Sequence, residues 1–299
     1  MALIGQVPDA RLDLVELEPA AGATVRERLA DVARHNRFAA CGAAILVVAV
    51  LLAFVLPLIY TEDPLSPDAG AALVAPSGAH PFGTDELGRD ILARLIAAAR
   101  LDLLIAFAVT SIAMGIGTVV GTLAGYAGRI ADDVVMRFVD VMLSFPAFIL
   151  ALAITVMLGN KVGYVIGALA FAYMPFFVRL TRGEALRIRD SEYADAARVV
   201  GNPAWRIALR HVFPNAVAPA VALAPIVLCW AILDAAALGF LGIGIRPPTS
   251  EWGIMVAGGA KNIASGEWWT WLFPGLAILI VVLGFNWVGD GVRKLVRSA

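Results

Sequence analysis

Stretches free of Asp, Glu, Lys and Arg recur along the chain at lengths that suit a membrane rather than a soluble core. A hydrocarbon layer about 30 Å thick takes roughly 17–25 apolar residues of helix. Ala39–Tyr60, Leu103–Gly128, Val141–Asn160, Val162–Val178, His211–Leu233 and Trp268–Gly289 meet that demand, Val162–Val178 at the lower limit. The fifth run continues through a single acid, Asp234, to Ile245, and is long enough to hide a break or a re-entrant piece. The pattern predicts an all-α integral membrane protein with about six transmembrane helices. It divides the chain into a polar N-terminal segment (1–38), a first transmembrane helix (39–60), an outer segment with an interfacial helix (61–102), a transmembrane core (103–291) and a short tail (292–299).

Composition agrees, with 60% hydrophobic and 16% charged residues, against about 45–50% and about 25% in soluble domains. A net charge of -1 supplies no field for nucleic acid. Cys41 and Cys229 fall inside apolar runs, where small buried thiols are expected and neither a disulfide framework nor a metal site is suggested. A cleavable signal peptide carries its apolar core near the start. Here the first 37 residues are polar, so the first apolar run reads as a retained anchor.

Arginine placement sets the orientation. Segments 1–38, 129–140, 179–210 and the tail carry 17 of the 23 Lys and Arg residues, and the intervening segments carry 6. The asymmetry places both termini in the cytoplasm. Trp268, Trp269 and Trp271 crowd the outer start of the last span as an aromatic belt does. Gly115, Gly117, Gly121 and Gly125 recur along the second span and permit close helix–helix approach.

The loop 179–214 is the most informative polar stretch. Ser191 can cap a short helix, with Glu192 well placed against its dipole. That helix runs to about Val200 and stops at Gly201, a natural left-handed residue. Asn202 and Pro203 then open a second short helix, which ends near Pro214. Ala194, Ala196 and Ala197 leave a thin, smooth surface. From physics alone this surface serves either a partner protein packed closely on it or the lipid headgroups drawn by its arginines.

The run Asp195-Ala196-Ala197, then Gly201, then Phe213-Pro214 resembles the EAA loop of bacterial ABC importer permeases, with Asp195 in place of Glu and His211 in place of Ile. Gly83-Thr84-Asp85-Glu86-Leu87-Gly88-Arg89-Asp90 resembles the outer segment of the peptide and nickel permeases. Leu238 to Gly244 with Pro247-Pro248 and Glu251-Trp252-Gly253, and Phe273-Pro274-Gly275 with Phe285-Asn286 and Gly289-Asp290-Gly291, resemble their later segments. The matches run in order over roughly 80–294 and resemble the second permease subunit of a dipeptide or oligopeptide importer.

The resemblance implies a type I ABC importer permease in a bacterial inner membrane. Its partners would be a second permease subunit, two ATPase subunits that bind ATP and Mg, an extracytoplasmic substrate-binding protein and the lipid bilayer. It assigns ATPase coupling to Ser191, Glu192, Asp195, Ala196, Ala197, Gly201 and Pro214. Nickel chelates and short oligosaccharides are alternative cargoes of the same architecture.

Asp234 stands alone inside a span, where a carboxylate costs about 2.5–3.5 kcal/mol on insertion scales. Two readings stand: a pathway or gating residue, or a buried acid tying helices together. Thr84 is expected to cap an interfacial helix with Ile91, Leu92, Leu95, Ile96 and Ala99 on one apolar face. His35 and His80 read as solvated loop histidines. None of the three lysines, Lys161, Lys261 and Lys294, follows glycine, so the chain has no phosphate-binding Gly-Lys loop and no catalytic role of its own. A stand-alone secondary transporter is the rival reading; such folds often show internal repeats and several intramembrane charges, and the single charge Asp234 with no visible repeat argues against it.

Overall fold

The computed structural model describes residues 36–189 and 203–297. Among them every extended element is a helix. Helix α1 (Arg37–Phe54) starts where the Asn36 side chain accepts the Ala39 N–H at 3.3 Å. It packs along the last helix, with Gly42 set against the backbone of Gly284 and Phe38 against the ring of Trp287. Val47, Val48, Leu51 and Leu52 point outward and stay exposed, as lipid-facing residues do.

The chain next forms an irregular outer layer and then α2 (Ile91–Ala127), 37 residues long. At about 1.5 Å per residue this is roughly 55 Å, more than a bilayer core. The helix expected at the outer interface is therefore the first turns of α2, continuous with the second span. Thr84 does not cap it, because its hydroxyl donates to the Ala71 carbonyl and accepts the Val74 N–H. Asp90 is the cap instead, accepting the Ala93 N–H at 2.8 Å. Ile91, Leu95, Ile96 and Ala99 are buried in the bundle rather than spread on the membrane surface.

The third apolar run is not one helix. Helices α3 (Arg129–Leu143) and α4 (Ala147–Leu158) meet at an 88° bend. Pro146 lies at the corner, where it offers no N–H and forces the preceding residue out of helical geometry. Helix α5 (Val162–Arg189) carries Pro175 and runs well past the predicted fourth span. A helical turn (Ala204–Ile207) and a π-helical turn (Ala208–Val212) lead into α6 (Phe213–Phe240), a single helix through Pro219 and Pro225. The fifth apolar region is thus unbroken to Phe240. Residues 241–251 form turns, and the short α7 (Trp252–Ala260) and then α8 (Trp269–Arg297) follow.

The expected six spans are five long helices and the bent α3–α4 pair. The α2–α5 seam holds the core together. Gly117, Gly121 and Gly125 face Phe177, Thr181 and Ala185 in turn, and their missing side chains let the two backbones meet. Gly115 lies off this seam, in open space.

Candidate functional site

Asp234 on α6 accepts a hydrogen bond from the Tyr173 hydroxyl on α5. Trp230 sits one turn before Asp234, and Phe176 lies three residues after Tyr173. Ring centroids are 6.0 Å apart for Tyr173 and Trp230, and 5.4 Å for Phe176 and Trp230. Tyr173 is 2% exposed and Trp230 36%, so the cluster has a closed back and an open front. A groove of about 750 Å³ at the α3–α4 corner is lined by Ser144, Pro146, Phe176, Arg179 and Leu223. Phe176 belongs to both. Sequence reasoning singled out Asp234 but missed its aromatic frame. A tyrosine within an otherwise apolar run was the one available signal, because a buried phenol requires a partner.

At one end of the bundle, α3 and α5 are tied by charge. Arg182 on α5 grips Asp132 on α3 with two hydrogen bonds, and Arg179 pairs with Asp140 on the same helix. Ser191, Glu192, Asp195, Ala196, Ala197 and Gly201 lie outside the described residues. Pro214 is exposed in the first turn of α6. On either side of the gap, Ala185 and Ile188 form one small core with Ile207, Ala208, Val212 and Tyr126. The ends of α2, α5 and α6 therefore meet where the loop leaves and returns.

The outer end is a polar lattice. Asp85 binds both Arg89 and Arg94, and Arg94 also faces the Ser250 hydroxyl. His80, expected to be solvated, pairs through Nδ1 with Asp90 at 2.9 Å. The Trp269 indole donates to the Thr84 carbonyl at 3.2 Å, and Phe82 stacks on Phe273 at 4.2 Å. Glu251 caps α7, accepting the Gly253 and Ile254 N–H groups at 2.7 and 2.8 Å. Asp102 accepts the adjacent Trp252 N–H at 3.1 Å. Both carboxyl groups are buried. Burial pushes the Glu251 carboxyl up, against the opposing pull of its two backbone donors.

Among the described residues the site has no nucleophile–base pair. It offers a buried tyrosine paired with a carboxylate beside aromatic rings in a bundle of long apolar helices, which suits a membrane conduit. The family described as "Binding-protein-dependent transport system inner membrane component" matches residues 117–298. The chain belongs to this family and is a membrane-spanning permease subunit of an ABC importer. It is 41% identical over 253 residues to the "Probable D,D-dipeptide transport system permease protein DdpC" of Escherichia coli strain K12, covering 85% of each chain. It is 40% identical over 260 residues to a dipeptide transport system permease protein of Alkalihalophilus pseudofirmus, covering 87% of this chain and 85% of that one. A di/tripeptide permease protein of Pseudomonas aeruginosa is 40% identical over 265 residues, covering 87% of each.

Proposed function

We propose that this chain imports di- or oligopeptides as one of two permease subunits in a bacterial inner-membrane complex. The observation that carries the cargo assignment is the 40–41% identity, over most of both chains, to permeases named for dipeptides and di/tripeptides. Two ATPase subunits bind ATP and Mg and dock on the loop 191–214. A substrate-binding protein delivers the peptide from outside, and Asp234 lies on the path. ATP closes the ATPase pair, the docked loop moves, and the spans switch between outward and inward access.

Support for coupling through Ser191, Glu192, Asp195, Ala196, Ala197, Gly201 and Pro214 comes from the flanks of that loop. The two flanks, the end of α5 and the turns before α6, pack against each other and against Tyr126 at the end of α2. A push on the loop is therefore transmitted to the helices that form the central seam, through side chains too closely packed to yield separately. The Arg182–Asp132 pair extends the connection to α3.

The test is uptake of labelled dipeptide into vesicles holding the complete complex, with and without Ala196→Trp or Ala197→Trp. The bulky side chains should abolish uptake and leave insertion of the chain intact. Parent-like uptake in both variants would refute the docking surface. Uptake of a nickel chelate or short sugar in place of peptide would move the cargo assignment.

A further inference from the structure

Asp234 poses a chemical question that the fold leaves open. Its Oδ2 is held by Tyr173, yet among the described residues no Lys, Arg or His forms an ion pair with it. A carboxylate in an apolar span is retained at a cost, and that cost is recovered when a cation arrives. The rings packed on its partner Tyr173 matter for the same reason. Aromatic faces carry negative potential and attract ammonium and guanidinium groups, and a carboxylate beside them adds a hydrogen-bond acceptor.

The layout suits transient binding. Tyr173 and Phe176 lie on α5, and Trp230 and Asp234 lie on α6, so two packed helices hold the four side chains together. Tyr173 closes the back while Trp230 and Asp234 stay partly open. Phe176 joins the cluster to the groove at the α3–α4 corner. A ligand leaving the carboxylate therefore has a neighbouring cavity to move into. One carboxylate with a single protein partner also holds weakly enough to release, as a conduit requires.

We propose that Asp234, framed by Tyr173, Phe176 and Trp230, receives the α-ammonium group of a peptide in transit. The inference rests on the reading of the chain as a peptide permease. The α-ammonium is the cation that peptides with a free N-terminus share, whatever their side chains. A site that reads it alone accepts many sequences.

The experiment uses the complete complex in lipid, with Cys41→Ser and Cys229→Ala as background and Ala237→Cys as reporter, one turn beyond Asp234. The reporter is treated with methanethiosulfonate reagents bearing either an ammonium or a sulfonate, with rates corrected for their reactivity toward free thiol. The ammonium reagent should react at least about tenfold faster, the size expected between a cation and an anion at about 6 Å from one charge even in bulk water. Asp234→Asn should abolish that preference. Tyr173→Phe, which removes only the hydroxyl, should keep it. Dipeptide should slow the ammonium reagent.

Equal rates for the two reagents, or no reaction, in a complex that imports peptide would overturn the site and leave the peptide permease standing. Equal loss of assembly in Tyr173→Phe and Asp234→Asn would make Asp234 a tie between helices and overturn the proposal. A charge preference in a complex that imports no peptide would overturn the ammonium assignment together with the peptide reading.

Discussion

Glu251 shows what one buried carboxyl does to this fold. Its carboxyl rises above the ordinary 4.5 because burial disfavours the charge. The folded chain therefore keeps a proton that the unfolded chain releases. Stability from this group is full below about pH 4.5 and is lost as pH rises through the raised folded-state value. The melting temperature of the purified protein should fall across that window, and Glu251→Gln should flatten the fall. An unchanged slope in the variant would assign the pH dependence elsewhere. At Gly121 the physics is steric. A Cβ there would meet the Thr181 hydroxyl at 2.3 Å and the Val178 carbonyl at 2.4 Å. Gly121→Leu should destabilise the protein by about 1–3 kcal/mol or more, whereas Gly115→Leu, in open space, should be tolerated. Thermal melts of the two variants in detergent make the comparison. The glycine spacing was legible in sequence. Which glycines meet α5 was not, because that depends on the helix partner.

Among the elements, the bent α3–α4 pair and the long α5 depend on each other. Arg182 and Asp132 join α3 to α5 with two charge-assisted hydrogen bonds at the cytoplasmic end. Asp132→Arg places two cations together, and should cut coupled ATP hydrolysis and uptake several-fold. Adding Arg182→Asp should restore much of both, since the pair is only reversed. Failure of the double variant to recover either would show that the pair is not the connection. Gly201 is expected to end a helix in left-handed geometry, where a β-branched residue costs on the order of 1 kcal/mol or more. Gly201→Val should uncouple ATP hydrolysis from transport, and Gly201→Asn should be milder. ATPase activity of reconstituted complexes separates them. Similar activity in both and in the parent would place the bend elsewhere.

For the whole molecule, orientation is the property to test. Lys261 is exposed at the end of α7, and Arg187 is exposed near the end of α5. The arginine count puts them on opposite sides of the membrane. In intact cells, cysteine at position 261 should react with an impermeant thiol reagent, and cysteine at 187 should not. The reverse pattern would invert the topology.

Much of this architecture was already written in the spacing of charges. Hydrocarbon tolerates few of them, so the gaps between Asp, Glu, Lys and Arg delimit the spans, and arginine asymmetry orients them. Asp234 was visible for the same reason, as a charge where none is easily borne. Tertiary structure decided what the rules for single helices do not contain. The outer helix became the start of α2 because Asp90 capped it and neighbouring helices covered its apolar face. The third run broke because Pro146 forced a corner. Helix α6 continued through two prolines, since packing against neighbours holds a helix that local preference would bend. Tyr173 reaches Asp234, and its ring meets Trp230, only because α5 and α6 are adjacent. Sequence determines which residues can lie in lipid; helix packing determines which of them meet.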